Sequence, residues 1–330
     1  MGGFRLILAV LVALSHMGVV FYGYGIGVFA VISFLIISGF VMTALIEKNY
    51  SSLKAIPSFY IDRAIRLYPQ FLFYFAIACA VIFISLPNTR QSAALTAENI
   101  VPSLAIAPLG LYMYGITLPD ILPPTWSLGL EVFFYLLIPF LIIFKLRGIA
   151  FAISFCIFLA ACLGFINSDY YGYRLIPGVL FIFLCGSYLY RVSYNERLIL
   201  GSVVGISIFL LILILLGVVS QRPYNVEVLA GIAFGIPAIH FLSKIEYHKI
   251  DEIFGNISYG VFLNHFIFIY AAQALGYGQL TNSTIAIIVI VAFICSGISY
   301  YLVERPALRI RHAMRQKSKT ERRTVNIAHQ

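Results

Sequence analysis

Apolar residues run along this chain in ten blocks of ~17–23 residues, at 4–22, 27–47, 69–86, 126–145, 149–166, 175–191, 197–219, 227–243, 257–275 and 283–303. A helix rises ~1.5 Å per residue, so such a block matches the ~30 Å hydrocarbon core of a bilayer. The pattern predicts an all-α polytopic membrane protein with about ten transmembrane helices. Between the third and fourth blocks, 87–125 holds Pro87, Pro102, Pro108, Pro119, Pro123 and Pro124 and predicts a loop containing a short helix or re-entrant piece. Residues 48–68 interleave Phe59, Tyr60, Ile61, Ala64, Ile65 and Leu67 with Asp62, Arg63 and Arg66, the pattern of a short helix lying on the membrane surface. The membrane domain is expected to span 1–310, leaving 311–330 as a basic cytoplasmic tail in contact with anionic membrane lipids.

Composition agrees with this pattern. The 330 residues are 61% hydrophobic and 11% charged, where a soluble domain carries roughly 25% charged residues. The net charge of +9 is asymmetric. With the amino terminus inside, 19 of the 22 Lys and Arg residues fall on the inner side, and only Arg90, Arg174 and Arg222 on the outer. The positive-inside rule then places both termini in the cytoplasm. Basic residues spread along one membrane face do not form a nucleic-acid surface, and no nucleic-acid partner is expected. The first block resembles a signal peptide but lacks a small-x-small cleavage site, so it reads as a retained helix. Cys79, Cys156, Cys162, Cys185 and Cys295 all lie in apolar blocks without a CxxC pair, and read as small core residues.

Candidate chemistry sits in the rare ionisable residues within the blocks. Each costs about 2.5–3.5 kcal/mol to insert, so such groups pair, face a cavity or react. Arg5 and His16 are separated by eleven residues, ~16 Å along a helix. With Arg5 at one interface, His16 lies near the midplane. Trp126 suits an anchor at the outer interface, which puts Glu131 ~7–8 Å inward. His265 lies about nine residues, ~14 Å, from the cytoplasmic side. The three are predicted to converge, with the carboxylate orienting a histidine base that takes a proton from a hydroxyl. Arg63 and Arg66 share a helix face and suit a phosphate clamp. Ser258 and His265, seven apart, share another face. Plainer readings compete: a packed histidine, positive-inside arginines, and Ser33, Ser38 and Gly39 as close-packing residues. No GxSxG elbow, HExxH or clustered Cys/His spacing occurs, so neither a serine nucleophile nor a metal site is expected.

R-x10-H at Arg5 and His16, GVFAVISFLIISGFVMT, the RAIR pair before YP, PPTWSLGLEVFFYLL, SYGVFLNHF and YYLVERPALR, taken in order over 4–310, resemble the acyltransferase 3 family. These are integral-membrane acyltransferases that modify bacterial surface carbohydrates. The resemblance implies a catalytic His16, with Glu131 as the acidic partner after the WSL motif. It implies that Arg5, Arg63 and Arg66 serve acyl-CoA, a co-substrate and not a resident cofactor. Trp126, Ser127, Ser258, Tyr259 and His265 are the expected substrate-binding residues. Phe262 stands where the family usually has tyrosine and Asn264 precedes the histidine, departures read as marks of acceptor preference.

The expected activity is transfer of an acyl group, acetyl first, to a hydroxyl of a cell-surface polysaccharide or lipid-linked sugar in the bacterial inner membrane. Coenzyme A's arm, ~15–20 Å when extended, is comparable with the Arg5-to-His16 separation. A proton-coupled transporter or flippase for a polar lipid or sugar is the competing class, with His16, Glu131 and His265 as a relay. Such a protein has no reason to bind or hydrolyse acetyl-CoA. A non-catalytic membrane sensor of acyl-CoA or lipid is a third reading, which loss of polysaccharide acetyl groups on deletion would exclude.

Overall fold

The computed structural model describes residues 1–117, 120–246 and 248–311, with Ala313 and Arg315. Pro119 of the predicted loop and 316–330 of the predicted tail lie outside the described residues. Regular structure among the described residues is helical, apart from one isolated bridge between Phe21 and Tyr24. Among the described residues eight helices are long and apolar enough to cross a membrane. They contain α2 (Ile26–Asn49), α3 (Ile56–Ser85), α6 (Thr125–Ile143), α8 (Ile176–Tyr190), α9 (Tyr194–Leu215), α10 (Asn225–Leu242), α11 (Lys249–Ala274) and α12 (Asn282–Ser299). Two shorter apolar helices, α1 (Gly2–His16) and α7 (Arg147–Cys162), occupy the first and fifth predicted blocks. The protein is an all-α polytopic membrane protein.

Local chemistry explains where the elements differ from the hydropathy pattern. The first block is apolar to residue 22, yet α1 stops at His16. Met17 leaves the helical region and Gly18 has φ +86°, a left-handed conformation that glycine adopts without a Cβ penalty. Fifteen residues make only ~22 Å of helix. The expected surface helix and the third block are instead one 30-residue helix, α3, with Pro57 in its first turn and Pro69 inside. Its Asp62 and Arg63 are buried, so the charged face of 48–68 packs inward where a surface helix was predicted. The proline-rich segment contains α4 (Arg90–Ala93), capped by Thr89, then α5 (Ala97–Leu104) and a 3-10 segment, Ala107–Tyr114. After α12 a π turn, Tyr300–Glu304, runs straight into helix through 311. The boundary expected at 310 therefore falls within continuous helix.

Helix α2 is the centre, packed against α1, α6, α8 and α10. Its contact with α8 is backbone on backbone. A Cβ at Gly39 would stand 1.7 Å from the Phe183 carbonyl oxygen, and one at Gly186 1.9 Å from that of Ile36. Close approach of small residues gives dispersion contact that lipid tails do not outcompete. The Thr43 hydroxyl adds a polar tie, 2.7 Å from Ser187 Oγ on α8. α1 lies equally close to α11: a Cβ at Gly2 would meet the Asp251 carbonyl oxygen at 1.6 Å. These two contacts fix both ends of the site described next. At the periphery, α9 turns Leu198, Phe209, Ile212 and Leu215 outward, the side chains a lipid-facing helix presents.

Gly39→Ala overpacks the α2–α8 crossing and is expected to cost about 1–3 kcal/mol, seen as a lower thermal midpoint of protein in lipid nanodiscs. Gly205→Ala, where nothing lies within 4 Å of the added carbon, should leave the midpoint unchanged.

Candidate active site

The end of α1 places His16 against the middle of α11. Its Nδ1 lies 3.0 Å from Nε2 of His265, and the two rings are nearly parallel, inclined by 10°. His265 is fully buried, and its Nδ1 lies 3.0 Å from the Val261 carbonyl oxygen. That oxygen can only accept, so His265 carries its proton on Nδ1 and presents a bare Nε2. His16 must then donate from Nδ1, which leaves its own Nε2 with a free lone pair. A backbone carbonyl thus fixes the tautomers of two imidazoles in series. His16 lines a cavity of about 250 Å³, with Ser15, Gly25, Gly27, Trp126, Ser127, Tyr173, Arg174 and Tyr224 among its walls.

A second cavity, of about 130 Å³, holds the other ionisable groups: Arg5, Arg63, Arg66 and Glu131, with Ser38, Ser127, Tyr135, Ser258 and Tyr259. Glu131 is held by α2 and by its own helix, accepting from Ser38 Oγ at 2.7 Å and from the Tyr135 hydroxyl at 2.5 Å. Arg63 pairs with Asp62, its chain neighbour. Asp62 also accepts from Arg315 at 2.5 and 2.9 Å, and lies 3.7 Å from Arg311. Arg66 pairs with Glu304 of the π turn and lies over the Tyr259 ring, 5.4 Å from its centroid. Among the described residues Arg5 makes no ion pair. Five cations thus surround three carboxylates, a local excess of positive charge in a low-dielectric site. Among the described residues no three His, Cys, Asp or Glu side chains gather as a metal site would need. Val31, Ser127 and Phe262 line both cavities, so the two share one wall.

The family model of an acyltransferase domain, acyltransferase 3, matches residues 1–303. The chain belongs to the acyltransferase 3 family. It is also 38% identical over 201 residues to an uncharacterized protein of Aquifex aeolicus (strain VF5), covering 58% of this chain and 90% of that one. No solved structure matches. Membership makes the protein a multi-pass membrane acyltransferase.

Several predicted site residues stand elsewhere than expected. Glu131 does not meet His16: its Oε1 accepts from both Ser38 and Tyr135 in the arginine cavity, and His265 occupies the place expected for the carboxylate. Trp126 is buried, 4.9 Å from Tyr173 between ring centroids, instead of anchoring at the lipid interface. Ser258 and His265 do not act on one cavity. Ser258 bonds the Gly255 carbonyl and lines the arginine side, while His265 sits behind His16. The Tyr259 hydroxyl donates to the Leu67 carbonyl at 3.0 Å, so its oxygen is engaged with backbone while the residue lines the arginine cavity. Asn264 points away from both cavities, donating to the Tyr74 hydroxyl, the Ala292 carbonyl and Ser296 Oγ, so it locks α11 to α3 and α12. Phe262, in contrast, is part of the shared wall. Arg311 and Arg315, expected against lipid, instead close on Asp62.

Sequence reasoning also passed over Asp62, Glu304 and Arg174. Two carried a visible signal. Glu304 is a carboxylate at the end of an apolar block, and Arg174 is an outer-side arginine in the aromatic run YYGYR. Removing one partner of a buried ion pair leaves an uncompensated charge, costing about 3–5 kcal/mol. Glu304→Ala is therefore expected to destabilise the protein strongly in thermal-shift measurements. The double substitution Arg66→Met with Glu304→Met should recover most of that loss.

Proposed function

We propose that this membrane acyltransferase moves an acyl group, acetyl first, from acyl-CoA to a hydroxyl of a cell-surface carbohydrate or lipid-linked sugar in the bacterial inner membrane. The observation that supports this is the common wall: a cation-rich cavity and a cavity holding a tautomer-fixed histidine meet at Val31, Ser127 and Phe262. Coenzyme A's phosphates are drawn to the arginine side, where the unpaired Arg5 can bond them directly. Arg63 and Arg66, already paired, supply field more than contact. Since both ends lie on α1, the ~16 Å from Arg5 to His16 suits the extended pantetheine arm. The thioester then passes Ser127 and reaches His16.

His16 acts as the general base. Its Nε2 takes the proton from the acceptor hydroxyl as that oxygen bonds to the thioester carbonyl carbon. The imidazolium donates through Nδ1 to His265, whose other nitrogen is held by Val261, so the charge is stabilised without a carboxylate. When the C–S bond breaks, the departing thiolate takes the proton from Nε2, and CoA and an ester remain. Glu131 orients the donor side opposite Arg5 and does not take part in proton transfer.

The test uses protein in nanodiscs for CoA release from acetyl-CoA, and a complemented deletion strain for ester content of its surface glycans by mass spectrometry. His16→Ala should abolish both while inserting normally. His265→Phe, which leaves His16 Nδ1 without an acceptor, should lower turnover about 10- to 100-fold. Arg5→Gln should raise the acetyl-CoA KM about tenfold, the loss expected of one charge-assisted hydrogen bond. Undiminished acylation by an inserted His16→Ala protein would sink the proposal.

A further inference from the structure

The wall of the histidine cavity opposite the arginine side is built in an unusual way. Arg174 stands at the end of a π turn, Tyr170–Arg174, and its guanidinium carbon lies 5.1 Å from the ring centroid of Tyr224, 5.2 Å from Trp126, 5.3 Å from Tyr173 and 5.6 Å from Tyr112. Four chain segments therefore deliver aromatic rings to one cation. Arg174 donates through Nε to Asp169 at 2.5 Å, through Nη2 to the Tyr224 hydroxyl at 3.1 Å, and through Nη1 to the Tyr112 hydroxyl. Arg174, Trp126, Tyr173 and Tyr224 line the cavity that holds His16.

Two backbone irregularities serve this wall. The π turn is a form used sparingly and often at functional sites. Tyr224 has φ +63° at the start of α10, a left-handed conformation costing a bulky residue of order 1–3 kcal/mol. An ion pair between Arg174 and Asp169 requires neither of these, nor four rings, nor a cavity in front of it.

Building on the acceptor reading above, we propose that Arg174 with Trp126, Tyr173 and Tyr224, the guanidinium steadied from behind the cavity lining by Tyr112, forms the subsite for a neutral sugar ring of the acceptor, holding it beside His16. A sugar offers an apolar C–H face and a rim of hydroxyls, the combination that rings with polar edges match. The Tyr224 hydroxyl, which lines the cavity, accepts from Arg174 and so keeps its own proton to donate. Arg174 has five N–H groups, of which three are engaged, leaving two for the ligand. Asp169 already offsets the guanidinium charge, which favours hydroxyl groups over a carboxylate or phosphate. The subsite thus sets which hydroxyl approaches Nε2 of His16.

Trp126 is the chain's one tryptophan, so its emission reports on this wall directly. Protein in nanodiscs is titrated with methyl glycosides of glucose, galactose, mannose and N-acetylglucosamine, and with a methyl glucuronoside. A saturable emission change with at least one neutral glycoside is expected, with its midpoint raised tenfold or more in Tyr224→Phe and Arg174→Lys. Tyr224→Phe removes a single oxygen, so it decides the matter even if Arg174→Lys does not insert. No response to any neutral glycoside, a response to the glucuronoside alone, or unshifted midpoints in the variants overturns the proposal. Acetyl-CoA binding is measured on the same samples. Wild-type protein that binds none would reject the transferase reading, while the glycoside titration would still decide the subsite.

Discussion

A polar group inside a bilayer must find a partner in the protein, and here one backbone carbonyl anchors a pair of buried imidazoles. The Val261 oxygen fixes His265, His265 fixes His16, and the free nitrogen of His16 faces a cavity. The chain of bonds depends on helix lengths. α1 has to stop at His16 to present the ring at the depth of the middle of α11, and the contact of Gly2 with Asp251 sets that depth. Lengthening α1 by a turn would carry the ring past His265 and leave a buried nitrogen unpaired, at a cost of several kcal/mol.

The same requirement shapes the other cavity. Arg63 and Arg66 are too deeply placed to stand alone, so Asp62 and Glu304 accompany them, and Arg311 and Arg315 complete the cluster from the last described turns of the chain. This ties the π turn and the helix that follows α12 to α3. Among the described residues Arg5 is the cation of this cluster without an ion pair. Glu131 is similarly committed, to Ser38 and Tyr135, and lines the arginine cavity and not the histidine one. The ionic cluster and the histidine pair thereby occupy adjacent compartments.

Hydropathy revealed the all-α membrane architecture because apolar length is a one-dimensional property. It marked the ten apolar helices α1 to α3 and α6 to α12, misplacing ends where local backbone chemistry intervened, at Gly18 and along α3, and where the polar start of α11 at Lys249 precedes its apolar block. Spacing correctly suggested that His16 and His265 lie at related depths, because rise per residue converts sequence distance into height. It could not say which neighbour each group meets, since that depends on helix azimuth and on which side of α2 each helix packs. Depth and the family motif both match Glu131 with His16, yet α6 turns it toward Ser38. Trp126 was read as a lipid anchor because aromatic residues at span ends usually are, whereas the π turn that brings Arg174 over its ring has no hydropathy signature. Asn264 beside His265 looked like a specificity residue, but adjacent helical positions face different directions, and it serves packing against α12.

In the proposed reaction one continuous passage joins the arginine cavity to His16. A cryo-EM map of the protein with a thioether analogue of acyl-CoA would show it. Expected are phosphate density beside Arg5, the pantetheine arm crossing the wall of Val31, Ser127 and Phe262, and the acyl carbon next to Nε2 of His16. Density for the acyl group leaving the bundle between helices, or phosphates seated on the Arg174 side, would contradict it.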